Sequence, residues 1–134
     1  MTDATLDPIV QLSWRIHDVL DDVARAHGLS TSVLRLLAIL RGREPEMLEL
    51  ARHLGIDKSS LSGLVARAET RGLVERTPSA ADRRRVTVRL TALGRREATR
   101  GETEVYRRLG EVLAAVSPRD LEQLSAVARS VLGR

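Results

Sequence analysis

Apolar residues recur at helical spacing over most of the chain. Ile9, Leu12, Ile16, Val19, Leu20 and Val23 repeat every three or four residues, the stripe of one amphipathic helix. Asp7-Pro8 predicts its start, as a cap with proline at the first helical position, and Gly28 predicts its end. A second helix, from Thr31 or Ser32 to about Arg41, is apolar on most faces through Val33, Leu34, Leu36, Leu37, Ile39 and Leu40. That all-round pattern predicts the central, buried helix. After a connector at Gly42 to Pro45, a short helix spans about Glu46 to Leu54, with Met47, Leu50, Ala51 and Leu54 inward. Gly55-Ile56-Asp57 predicts a tight turn in which Asp57 caps a helix from Lys58 to Arg71. Leu61, Leu64, Val65 and Ala68 form its buried stripe, and Gly72 suits the left-handed residue that ends it, with Leu73 folding back.

The period then shortens to two. Leu73 to Pro78 and Arg85 to Leu90 alternate and are β-branched, with a polar loop from Ser79 to Arg84 between them, which predicts a β-hairpin. Thr91 can cap a long helix to about Val116, with Val105, Leu109, Val112, Leu113 and Val116 on one face. Ser117-Pro118-Arg119-Asp120 is a second start signal. The last helix runs to about Leu132 and presents Leu121, Leu124, Val127, Ala128 and Val131.

Helix, short helix, tight turn, helix and hairpin in this order make a winged helix-turn-helix: mainly α, with a small β-hairpin wing. The predicted division is one domain over 1–134, with the winged helix-turn-helix at about 31–91 and flanking helices at about 8–27 and 92–132. The outer face of the Lys58–Arg71 helix carries Ser59, Ser60, Ser62, Gly63, Ala66, Arg67 and Thr70. Small hydroxyls and a glycine let a helix backbone approach base edges and phosphates in a major groove. The free N–H groups and dipole at its first turn, at Lys58, Ser59 and Ser60, favour a phosphate. The same serines could serve only as capping residues. Arg83, Arg84 and Arg85 stand at or beside the hairpin tip, within reach of a minor groove whose negative potential attracts arginine. Asp82 fits best as the residue that positions an arginine, Arg84 first among them.

Charge strengthens this picture through its placement. Between Arg76 and Arg96 there are seven arginines and one acid, Asp82, whereas the rest of the chain carries 15 basic and 17 acidic residues. The net +4 therefore originates entirely in this segment. Lys58 is the only lysine, so nearly every cation is a guanidinium suited to bidentate phosphate contact.

Composition removes other classes. Zero cysteines exclude disulfide scaffolds, zinc ribbons, iron–sulfur clusters and thiol redox sensing. His17, His27 and His53 lack metal-ligand spacing, so no metal and no cofactor is expected. There is no glycine-rich phosphate loop and no positioned histidine or acid beside the helix serines, so an enzyme is not expected. No apolar run approaches the roughly 18 residues of a membrane span. The acidic N-terminal residues do not suit a signal peptide, which points to the cytoplasm. Phe is absent, and Trp14 and Tyr106 are the only aromatics, leaving an aliphatic core.

Leu48-Glu49-Leu50-Ala51, Gly55-Ile56, Ser59 to Ser62, Arg71 to Arg76 and, above all, Asp82-Arg83-Arg84-Arg85-Val86-Thr87-Val88-Arg89-Leu90-Thr91 followed by Gly94 resemble the multiple antibiotic resistance regulator (MarR) family. The resemblance implies a homodimeric transcription regulator, typically a repressor, whose first and last two helices form the dimerisation module. It implies paired recognition helices on a palindromic operator in double-stranded DNA, with Asp82 and Arg84 as the wing pair. Independently, the uncovered apolar stripes at both chain ends call for a second copy. Glu46-Met47 departs from the family pattern, which has a small polar cap there; Glu44 or the turn itself is left to start the short helix.

The family also implies a small anionic or aromatic effector. Trp14 and His17 lie one turn apart on the first helix; Trp14 either stacks on such a ligand or fills the dimer interface, and His17 either bonds its carboxylate or is a partly exposed helix residue. His53 is either solvent-facing or a phosphate contact. The competing functional reading is a winged-helix module that binds protein, or that coats DNA through phosphate contacts without reading sequence.

Overall fold

The computed structural model describes residues 2–134. Six helices and one hairpin follow in order: α1 (Asp3–Ala26), α2 (Thr31–Leu40), α3 (Met47–Leu54), α4 (Lys58–Thr70), β1 (Val74–Pro78), β2 (Val86–Leu90), α5 (Ala92–Val112) and α6 (Pro118–Val131). This is the expected winged helix-turn-helix with flanking helices. α2 is central, packing on α1, α4, α5 and β2, and Leu36, Leu37 and Leu40 on it are fully buried. Around them close Val23, Leu50, Leu61, Val65 and Val88, an aliphatic core as the composition demands.

Caps set most boundaries. Ser30, Asp57, Thr91 and Ser117 each accept a hydrogen bond from the backbone N–H three residues on, satisfying a donor that the helix start leaves free. Gly28 and Gly72 are left-handed, with φ of 67° and 71°. The amides of Leu29 and Leu73 then return to the carbonyls of Ala24 and Ala68 at 2.8 and 3.0 Å, closing both helix ends.

Two boundaries differ from expectation, and the start of α3 agrees with it. α1 begins at Asp3, so Pro8 lies inside the helix and not at its first position. The added turn is secured by Thr5 and Leu6 amides on the Thr2 carbonyl and by Gln11 Nε2 donating to Asp7 Oδ2 at 2.6 Å. α5 ends at Val112, not near Val116. Gly110 weakens its last turn, and the residues before Pro118 must turn into an extended Ser117 (ψ 152°). α3 starts after Glu46, whose side chain makes no cap bond, and Glu44 takes no part in that start.

The hairpin is antiparallel, with Val74 opposite Leu90 and Pro78 opposite Val86. A third stretch joins its edge: Glu46 bridges Thr87, and the Val88 amide donates to the Pro45 carbonyl at 3.0 Å. The wing is thereby tied to the residues just before α3. Gly94 marks the other fixed point, because a Cβ there would collide with the Leu73 carbonyl. α6 contributes no buried residue.

Candidate nucleic-acid interface

α4 offers its first turns outward because its other face is fixed by Leu61, Leu64, Val65 and Ala68 in the core. Asp57 organises that start: Oδ1 accepts from the Ser60 amide at 2.7 Å. The Ser60 amide bond, followed by the Ser60 hydroxyl, holds the Asp57 carboxyl below its usual value. Lys58, Ser59, Ser60 and Ser62 are all exposed.

The wing stands opposite. Its loop, residues 79–85, closes through Ser79 N–H to the Arg85 carbonyl and Arg85 N–H to the Asp82 carbonyl, both 2.9 Å. Asp82 Oδ1 also accepts from the Arg84 amide (3.0 Å) and Arg84 Nε (3.3 Å), and Oδ2 from Arg84 Nη2 at 3.4 Å. The Arg84 amide and then its guanidinium hold the Asp82 carboxyl below its usual value. The Arg84 side chain is nevertheless 92% exposed. Its direction is fixed while its outer face is open to a phosphate or groove floor.

A groove of about 650 Å3 separates these elements, lined by Glu46, Met47, Leu48, Lys58, Ser59, Ser62, Arg84, Arg85 and Val86. The fold thus brings Lys58, Ser59, Ser62, Arg84 and Arg85 around one opening. Arg83 lies beyond it on the exposed tip and makes no side-chain ion pair among the described residues. Arg67 covers Gly63, its Nη1 3.5 Å from where a Cβ would stand. Thr70 lies about 18 Å along the helix from Lys58, outside the groove, and its hydroxyl donates to the Ala66 carbonyl at 3.0 Å.

Two bracing residues were not legible as such. Glu46 accepts from Arg85 Nη1 at 3.1 Å and from the buried Ser79 hydroxyl at 3.3 Å, which draws Arg85 inward from the tip. Arg76 reaches from β1 to α4, with Nε 2.8 Å from Glu69 Oε1 and Nη2 donating to the Ser62 carbonyl at 3.2 Å. The departure from a small polar cap at Glu46 was the available signal for the first; nothing local marked the second.

A helix N-terminus rich in hydroxyls beside an arginine-tipped hairpin has the shape and charge to present one element to a groove and one to a flanking phosphate. Residues 27–85 match the model of the MarR family. Over that segment the chain is similar to the winged helix of the MarR family. The transcriptional regulator PA4135 superposes with a TM-score of 0.83 at 25% identity, over 99% of this chain and 98% of that one. A mutant MarR from E. coli complexed with operator DNA gives 0.79 at 21% identity, over 96% and 94%. CouR from Rhodococcus jostii RHA1 bound to p-coumaroyl-CoA gives 0.83 at 22%, over 96% and 92%. The MarR-like architecture extends to α1, α5 and α6, which lie outside the matched segment.

A second cavity, about 430 Å3, lies between α1, α2 and α5. Its walls are His17, Leu20, Thr31, Leu34, Arg35, Ala38, Ala98, Gly101, Glu102, Val105 and Tyr106. Of the candidate ligand pair, His17 lines this cavity and Trp14 does not: it lies outside and is 64% exposed. One turn along α1 was not enough to bring both to one wall, because residues three apart differ by about 60° around a helix axis. Tyr106 of α5 supplies the aromatic wall instead. His53 is exposed near the turn before α4, with Nε2 3.8 Å from Glu49.

Proposed function

We propose that the protein is a sequence-specific DNA-binding transcriptional regulator that acts as a homodimer, represses from a palindromic operator and responds to a small-molecule effector. The single observation that carries the DNA reading is the groove between α4 and the wing, with hydroxyls on one wall and an Asp82-held Arg84 at the other. In this reading Ser59, Ser60 and Ser62 face base edges and phosphates in the major groove, Lys58 and Arg67 neutralise phosphates, and Arg84 enters the adjoining minor groove. Arg83 and Arg85 add phosphate contacts, and Thr70 is at most peripheral. The operator complex of the E. coli MarR protein, on the same fold, supports it.

The dimer is supported by what the chain leaves uncovered. Leu6, Ile9, Val10 and Trp14 of α1 are exposed, as are Leu121, Leu124, Val127 and Val131 of α6. A second copy related by a two-fold axis would cover both sets and set two α4 helices one helical turn of DNA apart.

The effector would occupy the cavity lined by His17 and Tyr106. CouR, with a bound p-coumaroyl-CoA, shows a small organic ligand on this fold. Arg35 supplies a route from that cavity to the DNA side: it lines the cavity, and its Nη2 donates to the His53 carbonyl at 3.5 Å. That carbonyl is one of the unpaired groups at the end of α3, directly before the turn into α4. An anionic ligand that takes the Arg35 guanidinium removes this support.

Selection of bound fragments from a genomic DNA pool tests the function. An enriched inverted repeat with half-sites about one helical turn apart is the expected result. Recovery of no common sequence overturns it in favour of a non-specific or protein-directed winged helix.

A further inference from the structure

The fold divides the cationic segment Arg76–Arg96 between two places. Val86 lines the groove between α4 and the wing, but Arg89 and Leu90, about 10–13 Å along the same strand, line a separate cleft of about 530 Å3. There Arg89 and Arg95 meet Arg41 and Arg43 from the connector after α2. Thr99 adds a hydroxyl, and Glu44 is the one acid in the wall. None of the four arginines lines the α4–wing groove or the cavity beside Tyr106, so neither of those sites accounts for them.

The protein itself answers two of the four charges. Arg41 pairs with Glu102, and Arg89 Nε lies 2.5 Å from Glu75 Oε1. Arg95 Nη1 donates to the Leu90 carbonyl at 3.1 Å but meets no carboxylate, and Arg43 makes no side-chain hydrogen bond or ion pair among the described residues. Even with Glu44, Glu75 and Glu102 counted against them, the four guanidinium groups leave the cleft positive. Like charges gathered in one wall repel unless an anion answers them. The backbone that carries Arg43 is also fixed. Gly42 is left-handed at φ 71°, the Arg43 amide returns to the Leu40 carbonyl at 3.2 Å, and two residues on the Pro45 carbonyl accepts from the Val88 amide at 3.0 Å. Donors placed before the ligand arrives cost less ordering on binding.

The donors specify the anion. Each guanidinium fork takes two oxygens of one phosphoryl group, and the forks of Arg43 and Arg95 come from different elements, so the ligand needs more than one anionic group. Leu40 and Leu90 are the only apolar side chains in the lining, and no aromatic joins them, which leaves an acyl or aryl body without cover. We propose that the cleft binds a chain of two or three phosphoryl groups, held by Arg43 and Arg95, with Arg41 and Arg89 turning toward it from Glu102 and Glu75. The inference uses neither the DNA reading nor the effector reading and stands or falls without them.

The test is calorimetric titration of the full chain with orthophosphate, pyrophosphate, triphosphate, ATP and citrate at about 150 mM salt, where exposed charges are screened. Pyrophosphate and triphosphate should bind about tenfold tighter than orthophosphate or citrate, and a saturating amount should raise Tm by about 5–10 °C. ATP separates the sources: affinity above that of triphosphate assigns the phosphate chain to a nucleotide, and affinity below it to the inorganic anion. Arg43→Ala with Arg95→Ala should cut triphosphate affinity about tenfold or more. Glu44→Gln removes the one acid from the wall and should raise that affinity about threefold, a change of opposite sign that decides the case even if the double variant unfolds. Orthophosphate or citrate as tight as triphosphate overturns the phosphate chain, and no binding at this salt marks an adventitious ion only and overturns the site. Triphosphate affinity unchanged by either substitution overturns the place. Its loss in Arg84→Ala does the same, by moving the anion to the α4–wing groove. A double variant whose sole loss is in duplex affinity makes the cleft a DNA phosphate contact and equally overturns the proposal.

Discussion

Asp82 grips Arg84 three times, accepting from its backbone N–H at 3.0 Å, from its Nε at 3.3 Å and from its Nη2 at 3.4 Å. A carboxylate at the tip of a DNA-facing hairpin should repel phosphate, and simple charge counting makes its removal favourable. The observed geometry makes the opposite prediction. Asp82→Ala frees the Arg84 side chain, and the entropy of fixing it again falls on DNA binding. Operator affinity should therefore fall several-fold for Asp82→Ala, and by about 1–3 kcal/mol for Arg84→Ala. A duplex titration at constant salt measures both; tighter binding by Asp82→Ala would refute the positioning role.

Gly94 is fixed by the backbone it touches. Thr91 caps α5 by accepting from the Gly94 amide at 3.0 Å and donates its hydroxyl to the Gly72 carbonyl at 2.6 Å. This holds α5 against the end of α4, where a Cβ on Gly94 has no space beside the Leu73 carbonyl. Gly94→Ala should cost about 1–3 kcal/mol by overpacking, whereas Gly110→Ala, which meets nothing within 4 Å, should be neutral or stabilising. Urea midpoints of the two variants decide it.

Most of the fold was legible because its determinants are local: capping side chains at Ser30, Asp57, Thr91 and Ser117, left-handed glycines at 28 and 72, and the stripes of α2 and α4, which match the buried residues of those helices. The misses came from longer range. Pro8 marked a helix start in the pattern, yet side-chain and backbone bonds around Thr2, Thr5 and Gln11 carry α1 one turn further. Spacing put Trp14 near His17, but which helix face meets α2 and α5 is decided by packing, and it took only His17. Glu46 pairs with residues 33 and 39 positions away, a relation no local window contains.

Acid should weaken the protein in a defined window. Asp57 and Asp82 are held below 3.8 by hydrogen bonds made in the folded chain, and Glu104, bonded to Arg107 and Arg108, is lowered from 4.5 to about 2. A carboxyl with a lowered folded value stabilises above its unfolded value and loses that contribution as pH falls through the folded one. The urea midpoint should change little through these groups between pH 7 and 5, then drop between pH 4.5 and 2. Glu104→Gln should flatten part of that drop, and an unchanged profile would contradict the assignment.

The apolar face of α6 gives a prediction that separates assembly from folding. Because α6 contributes no buried residue, Leu124→Glu with Val127→Glu should leave helix content and the unfolding of the winged helix intact. Sedimentation should show a monomer, and operator binding should weaken at least 100-fold through loss of the second half-site. Dimers that persist in this variant would place the interface elsewhere.

The most direct test is titration of the recovered operator and a scrambled duplex of equal length at 50 and 200 mM salt. A dimer reading sequence through paired α4 helices and wings predicts a preference of about 1,000-fold or more for the operator. With roughly 6–10 phosphate contacts, log K should fall against log salt with a slope of about −5 to −9. Equal affinity for both duplexes, fading together as salt rises, would contradict sequence-specific regulation by this winged helix.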